Sequence, residues 1–307
     1  MSILAVGSVA FDSIATPSGK ADSVLGGSAT YFALAASYFT EVRVVAVVGE
    51  DFAPSDETIF RKRGIDTRGI ERAPGKTFRW GGTYVDNLNE AKTDFTDLNV
   101  FENFQPVIPQ EYQDTDFLFL GNIQPVLQTH VRQTMAKVRL TGCDTMNYWI
   151  QRTPQELAQT LKLVDVLLIN DTETKMLARE SNLPRAAHKV LSMGPRALVV
   201  KHGEYGATIF FREAAFGIGR HPFRAPALPI QEVKDPTGAG DSFAGGFMGY
   251  IASQAELNRE VLKRALFYGG VMGSFAVEEF GTGRLQNLKR DDIEARFQVF
   301  RELTHLQ

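Results

Sequence analysis

Residues 235–246 read Asp235-Pro236-Thr237-Gly238-Ala239-Gly240-Asp241-Ser242-Phe243-Ala244-Gly245-Gly246, and their reading decides the fold. Three small residues, Gly238, Ala239 and Gly240, precede an acid, Asp241, and a helix-compatible stretch follows. Glycines let successive backbone N–H groups turn toward one point, and a helix N-terminus adds partial positive charge there. Such a run makes an anion cradle. A carboxylate beside it is placed to take a proton from a hydroxyl attacking a phosphoryl group. The helix position also favours the ionised form of that carboxylate. The plainer reading is a glycine-rich turn whose acid starts a helix.

Outward from this run, short apolar segments alternate with helical periodicity. Strands are expected at 3–9, 42–49, 116–121, 165–170, 197–201 and 207–211. Helices are expected at 28–39, 57–64, 128–139, 154–163, 173–180, 185–193, 242–253 and 258–278. Near-continuous apolar strands suit a parallel sheet covered on both faces, and strand–helix alternation suits a layered α/β fold. Residues 77–101 break the pattern. They are polar, aromatic and strand-like, and read as antiparallel strands projecting from the main body. With residues 11–25 they form a small lid, so that 1–307 is one domain with two excursions.

Composition narrows the classes. Hydrophobic residues make up 44% of the chain and charged residues 22%, as in an ordinary globule. A net charge of −3 gives no bulk attraction to nucleic acid or anionic lipid. The lone Cys143 excludes an intrachain disulfide and reads as a core residue, and the five histidines show no zinc-type pairing. No signal peptide or membrane span is visible, so a cytoplasmic protein is expected. A Walker A loop is absent, and Gly7-Ser8-Val9-Ala10-Phe11-Asp12 after the first strand lacks the glycines of a dinucleotide fingerprint.

The chain resembles the PfkB/ribokinase family of carbohydrate kinases over nearly its whole length. The family's DTxGAGD signature stands here as Asp235-Pro236-Thr237-Gly238-Ala239-Gly240-Asp241. Its upstream double glycine stands as Gly26-Gly27-Ser28-Ala29-Thr30-Tyr31, with Tyr31 where the family has asparagine. Asn170-Asp171-Thr172-Glu173 resembles the family's NxxE motif. Lys201 to Gly206 (KHGEYG) resembles the strand and turn bordering the nucleotide, and Gly273 to Gly283 the stretch enclosing the adenine. The resemblance implies a three-layer αβα sandwich with a mostly parallel central sheet and a small β-strand lid.

It also implies roles. Asp241 would be the general base, and Gly238, Ala239 and Gly240 the donors to the transferring phosphoryl. Asp12, which ends the first strand, would anchor the substrate's hydroxyls, with Gly26, Gly27, Tyr31, Gln124 and Arg79 beside it. Asn170, Lys201, Gly203, Gly206, Thr237 and Gly273 would border the nucleotide. Asn170 and Glu173 would reach a hydrated Mg²⁺, and Asp235 and Thr237 a monovalent cation such as K⁺. ATP and Mg²⁺ are therefore the expected cofactors, and a small hydroxyl compound the expected partner. A homodimer through the lid's exposed edge is a further expectation.

Two departures bear on the substrate: Tyr31, and Ala10, which stands where ribokinase-like chains carry a polar side chain. Phe11, Tyr31, Phe78 and Trp80 instead offer an aromatic-lined pocket, and aromatics stack on sugar faces and on nucleobases alike. The first expectation is an ATP-dependent sugar or polyol kinase. The second is a nucleoside kinase of the adenosine-kinase type. The third, a catalytically silent binder, leaves the intact Asp241 without a purpose.

Overall fold

Every residue of Ser2–Val6 is buried, and its side chains divide between two cores. Ile3 and Ala5 join one apolar cluster, and Leu4 and Val6 the other. Phe117 and Phe119 alternate with Leu118 and Leu120 in the same way, as do Val166 and Leu168 with Leu167 and Ile169. Period-two alternation between two apolar faces is what a sheet covered on both sides requires.

The computed structural model describes residues 1–85, 88–135, 137–212, 215–217 and 221–304. The expected lid excursion 77–101 and helix 128–139 run across positions 86–87 and 136, which lie outside the described residues. In chain order the first elements are β1 (Ser2–Val6), β2 (Ala10–Thr16), β3 (Gly19–Gly26), α1 (Ser28–Ala36), β4 (Glu41–Val48), α2 (Pro54–Lys62), β5 (Asp66–Arg72), β6 (Phe78–Thr83) and β7 (Lys92–Asp97). Then come β8 (Phe117–Leu120), α3 (Pro125–Thr134), β9 (Leu140–Cys143), α4 (Asn147–Arg152), α5 (Pro154–Leu161), β10 (Val166–Asn170), α6 (Asp171–Ala178) and α7 (Leu183–Ser192). The last are β11 (Ala197–Lys201), β12 (Ala207–Phe211), β13 (Phe223–Ala225), α8 (Ala239–Ala252), α9 (Arg259–Ala276), α10 (Gly283–Gln286) and α11 (Arg290–Thr304).

Nine strands form the main sheet in the order β13-β12-β11-β10-β9-β8-β1-β4-β5. The pairs from β11 through β5 are parallel, and β12 and β13 are added antiparallel at one edge. Helices α1, α2, α8, α9, α10 and α11 contribute to one core, and α3, α5, α6 and α7 to the other. The sheet with a helical layer on each face is the expected three-layer αβα sandwich. Helix α8 sits at the centre of its layer. Its Gly245 and Gly249 lie against α1 and its Gly246 against α9, where a Cβ would strike Phe32 O, Ala36 and Tyr268 O. These three interior glycines weaken the helix intrinsically, and the close packing they permit offsets that.

A second sheet, β3-β2-β6-β7, stands apart as the lid. Two sequence expectations change here. The lid is not wholly antiparallel, because β2 and β6 run parallel. The first strand does not extend to residue 9 either: it stops at Val6, and β2 begins at Ala10 in the other sheet. The break comes at Gly7, whose N–H donates to Val45 O (3.3 Å) and whose Cα lies against Ser28 and Ala29. Asp12 therefore belongs to the lid sheet rather than to the end of the first strand.

The lid is tied to the body at several points. Arg79 pairs with Asp51 (2.9 Å), Thr16 Oγ1 donates to Lys234 O (2.7 Å), and Ser18 Oγ donates to Val233 O (2.8 Å). The Tyr84 hydroxyl meets Thr237 Oγ1 at 3.1 Å. No helix among the described residues is long and apolar enough to cross a membrane.

Candidate active site

The parallel strands bring their C-terminal ends to one edge of the sheet, where ligands of open α/β sheets bind. β10 ends there at Asn170, β11 at Lys201, and β9 just before Asp144. The start of α8 meets them from above. Gly238 is its N-cap in the left-handed region (φ 71°), and Ser242 Oγ donates back to Gly238 O (2.7 Å). A Cβ at Gly238 would strike the Tyr31 ring, so sterics and backbone both demand glycine there.

Ala239 is the exception in the expected cradle. Its N–H donates to Pro236 O (3.2 Å) and closes the turn. The N–H groups of Gly238 and Gly240 accept no such duty among the described residues, which leaves them for an anion. A Cβ at Gly240 would stand 3.1 Å from Lys201 Nζ, so the ammonium lies against the same opening.

Lys201 is the centre of a cluster that the sequence reading only half saw. Its Nζ is 3.3 Å from Asp144 Oδ2, with Glu173 and Asp241 close enough to act on it electrostatically. Burial works against the ammonium charge, but the three carboxylates outweigh it and raise the Lys201 pKa above its ordinary value. The carboxylates in turn repel one another. Burial, with Asp144 next, pushes Asp241 up to about 7 against the pull of Lys201. Burial and Asp144 push Glu173 up to about 7 as well.

Burial and the neighbouring carboxylate thus oppose the ionisation that the helix N-terminus favours. A first-turn position is worth roughly 0.3–1 kcal/mol to a carboxylate. Burial and the Asp144 charge act in the other direction and outweigh it.

The sequence marks Cys143 as a core residue and assigns nothing to Asp144 beside it. Cys143 is indeed buried in β9, but Asp144 is a buried acid facing the cluster. Gln128 holds its backbone in place, donating to Gly121 O (2.8 Å) and Asp144 O (2.9 Å). A glutamine on an otherwise apolar helix face was the available signal. Gln124, the residue singled out instead, is the exposed N-cap of α3 and is not drawn into the cluster.

Asn170 and Glu173 are brought together, but on each other. Glu173 N donates to Asn170 Oδ1 (2.7 Å), and Asn170 N to Glu173 Oε2 (2.8 Å), a reciprocal capping box at the start of α6. Among the described residues no group of three or more His, Cys, Asp or Glu side chains is arranged to hold a metal. Asp235 and Thr237 are likewise occupied. Asp235 is fully buried; Oδ1 accepts from Thr237 N and Oδ2 from Gly281 N, each at 2.8 Å. Those bonds tie the loop before α8 to the loop after α9 and use one acceptor site on each carboxylate oxygen.

Asp12, the expected substrate anchor, is only 4% exposed and accepts from the backbone N–H of Gly27. Burial pushes it up to about 7; the Gly27 bond opposes this, and Asp235 and Asp241 add to it. Gly26 and Gly27 line it closely: a Cβ on Gly26 would strike the Asp12 carboxylate, and Gly27 sits at φ 92° against Ser8 O. Tyr31 is 1% exposed beneath Gly238, and its hydroxyl has no hydrogen-bond partner among the described residues.

The expected aromatic lining thins out. Phe11 is buried under Arg79, whose guanidinium stands 5.4 Å from its ring, and Phe78 stacks on Phe101. Arg79 itself is a strut to Asp51 and Ser23. Trp80 stays half-buried, its indole lying along Gly82. Asp12 and Trp80 are register partners in the parallel β2–β6 pair, so both side chains leave the same face of the lid.

The glycines expected to border the nucleotide are spread around the same opening. Gly203 (φ 56°) and Gly206 (φ 93°) form the turn after Lys201, and Asn89 of the lid loop reaches Gly203. Gly273, on α9, faces the first turn of α8 at Ala239 O.

Comparison with known proteins agrees with this geometry. A model of the pfkB family carbohydrate kinases matches residues 2–289. The cytidine kinase of Thermococcus kodakarensis is 28% identical over 86% of this chain and 97% of its own. The adenosine kinase of Schizophyllum commune is 26% identical over 78% of this chain and 76% of its own. A ribokinase II from E. coli, solved in complex with ATP and Mg²⁺, superposes with a TM-score of 0.79 at 20% identity, covering 97% of this chain and 99% of the other. The chain thus belongs to the pfkB family of carbohydrate kinases and is an ATP-dependent kinase.

Proposed function

We propose that the chain transfers the terminal phosphoryl group of ATP to a hydroxyl of a nucleoside. The observation that carries this reading is the side-by-side placement of Asp12 and Trp80 on one lid face. A nucleoside presents ribose hydroxyls and a flat base together. A buried carboxylate accepts hydroxyl hydrogen bonds, and an indole face stacks on a base. The breadth of the match to the cytidine kinase supports the same reading. A free sugar or polyol is the second reading, favoured by the carbohydrate kinases that give the family its description.

In the proposed reaction the substrate oxygen bonds to the γ-phosphorus while the bond to the β-bridging oxygen breaks and ADP leaves. Asp241 accepts the hydroxyl proton as that bond forms. A pKa of about 7 suits a group that must hold and release a proton near neutrality. The N–H groups of Gly238 and Gly240 and the Lys201 ammonium stabilise charge on the transferring group.

Three carboxylates around one ammonium leave net negative charge, which fits a hydrated Mg²⁺ arriving with the nucleotide. Asp144 and Glu173 would hold its water shell, and the ion would neutralise phosphate charge. Arg79, Thr16, Ser18 and Tyr84 keep the lid down on the site and exclude water. For the assembly we propose a homodimer through β7, an exposed edge strand of the lid, which sedimentation of the intact chain tests.

The test of the function is ADP release with Mg²⁺ and a panel of nucleosides, pentoses, hexoses and inositols. Stimulation by nucleosides at micromolar to millimolar concentration is expected. Turnover confined to free sugars or polyols contradicts the nucleoside reading, and stimulation by none contradicts both.

A further inference from the structure

At the opposite edge of the main sheet lies a pocket of about 440 Å³ lined by Arg132, Lys162, Arg196 and Arg212. Asp165 is the one carboxylate among the described residues that line it. The excess is three positive charges, in a chain whose net charge is −3. Asp165 and Arg196 immediately precede β10 and β11, whose other ends are Asn170 and Lys201. The pocket and the kinase site are thus at opposite ends of the same two strands.

Three of the cations are held in place. Arg132 Nε donates to Leu163 O (3.1 Å) and its Nη1 to Met135 O (3.2 Å). Arg212 Nη1 donates to Gly194 O (3.0 Å). Arg196 pairs with Asp165 (3.3 Å), and its guanidinium carbon stands 4.1 Å from the centroid of the Phe216 ring. The carbonyls at the C-terminal ends of α3, α5 and α7 explain why cations gather here. They do not use up the donors. A guanidinium carries five N–H groups, of which these carbonyls take two on Arg132 and one on Arg212.

We propose that this pocket is a second anion site, for a small polyanion carrying phosphate groups. Guanidinium forks match phosphate oxygens two at a time, and tethered guanidiniums lose little freedom on binding. Like charges gathered at one place repel, so a multivalent anion relieves them. Inorganic pyrophosphate and the diphosphate of a nucleotide share this chemistry.

Calorimetric titration of the intact chain with pyrophosphate, and separately with ADP, tests the proposal. Wild type, Arg196→Gln, Arg212→Gln and the charge-keeping Arg212→Lys are compared. Wild type is expected to bind a second equivalent beyond the kinase site. Each glutamine variant should weaken that equivalent about tenfold, and Arg212→Lys should weaken it less. Turnover and the first equivalent of ADP should stay as in wild type, which also shows that the variants are folded. A second equivalent tighter for ADP than for pyrophosphate identifies a nucleotide as the occupant, and the reverse order an inorganic phosphate. A single equivalent in wild type, or a second one unchanged by both glutamine variants, overturns the proposal.

Discussion

The start of α8 and the inner face of the lid divide the proposed site between them, and they are built differently. The α8 start is one contiguous run from Asp235 to Asp241, closed by Asp235's two backbone bonds and packed on Tyr31. The lid face is assembled from β2 and β6, nearly seventy residues apart, and meets the body through a few polar ties. Phosphoryl transfer needs donors and a base in fixed geometry, which a short rigid run supplies. Substrate choice needs a surface that opens and closes, which an exposed sheet supplies. On this division, changes at α8 should cost kcat, and changes on the lid should cost KM.

The largest effect expected is from Asp241→Asn, which should lower kcat by about 10²–10⁴-fold. Asp12→Ala should follow, raising KM for the hydroxyl substrate by roughly 10–100-fold through two lost hydrogen bonds. Unchanged KM would remove Asp12 as the anchor and blur the division. Asp144→Asn should then raise KM for ATP by roughly 3–10-fold, because Lys201 loses the partner that holds it at the cradle. An effect on the nucleoside KM alone would instead assign Asp144 to the lid side. Trp80→Ala should be smallest, about 3–10-fold in nucleoside KM with kcat kept, the worth of one stacked ring.

Stability should follow pH in an unusual direction. Asp12, Glu173 and Asp241 keep their protons in the folded chain up to about pH 7, whereas the ordinary values are 3.8 for Asp and 4.5 for Glu. Between those limits the folded state binds more protons than the unfolded one, so their contribution to stability falls as pH rises from about 4 to about 7. The difference in Tm between Asp12→Asn and wild type should grow in favour of the variant over that window. A difference independent of pH would mean that Asp12 is not a strained buried acid.

The contrast between the two regions also explains what the sequence disclosed. The parallel strands were legible because burial on both faces demands unbroken apolar runs such as Phe117–Leu120. The α8 start was legible because its chemistry is contiguous. Strand β5 was not, because it is a partly exposed strand at the sheet edge reading Asp66-Thr67-Arg68-Gly69-Ile70-Glu71-Arg72. Helix α11 was missed for the same reason, as only Ile293, Phe297 and Phe300 of its residues are buried.

Asp144 was hidden beside a core cysteine, since only the parallel pairing of β9 with β10 brings it toward Lys201. The roles of Asn170 and Glu173 could not be separated from their spacing, because i to i+3 serves a capping box as well as a metal. Trp80 beside Asp12 depended on the parallel β2–β6 register, which no local pattern announces.

Loss of turnover alone does not separate a base from a phosphate ligand, and Asp241 lies against both functions. The decisive measurement is therefore ADP·Mg²⁺ binding to Asp241→Asn by calorimetry, beside its kcat. Binding within about threefold of wild type together with the large loss in kcat is the predicted result, since a base contributes to the transition state and not to ground-state nucleotide binding. Turnover near wild type, or binding lost in proportion to turnover, would contradict the assignment of Asp241 as the base at the start of α8.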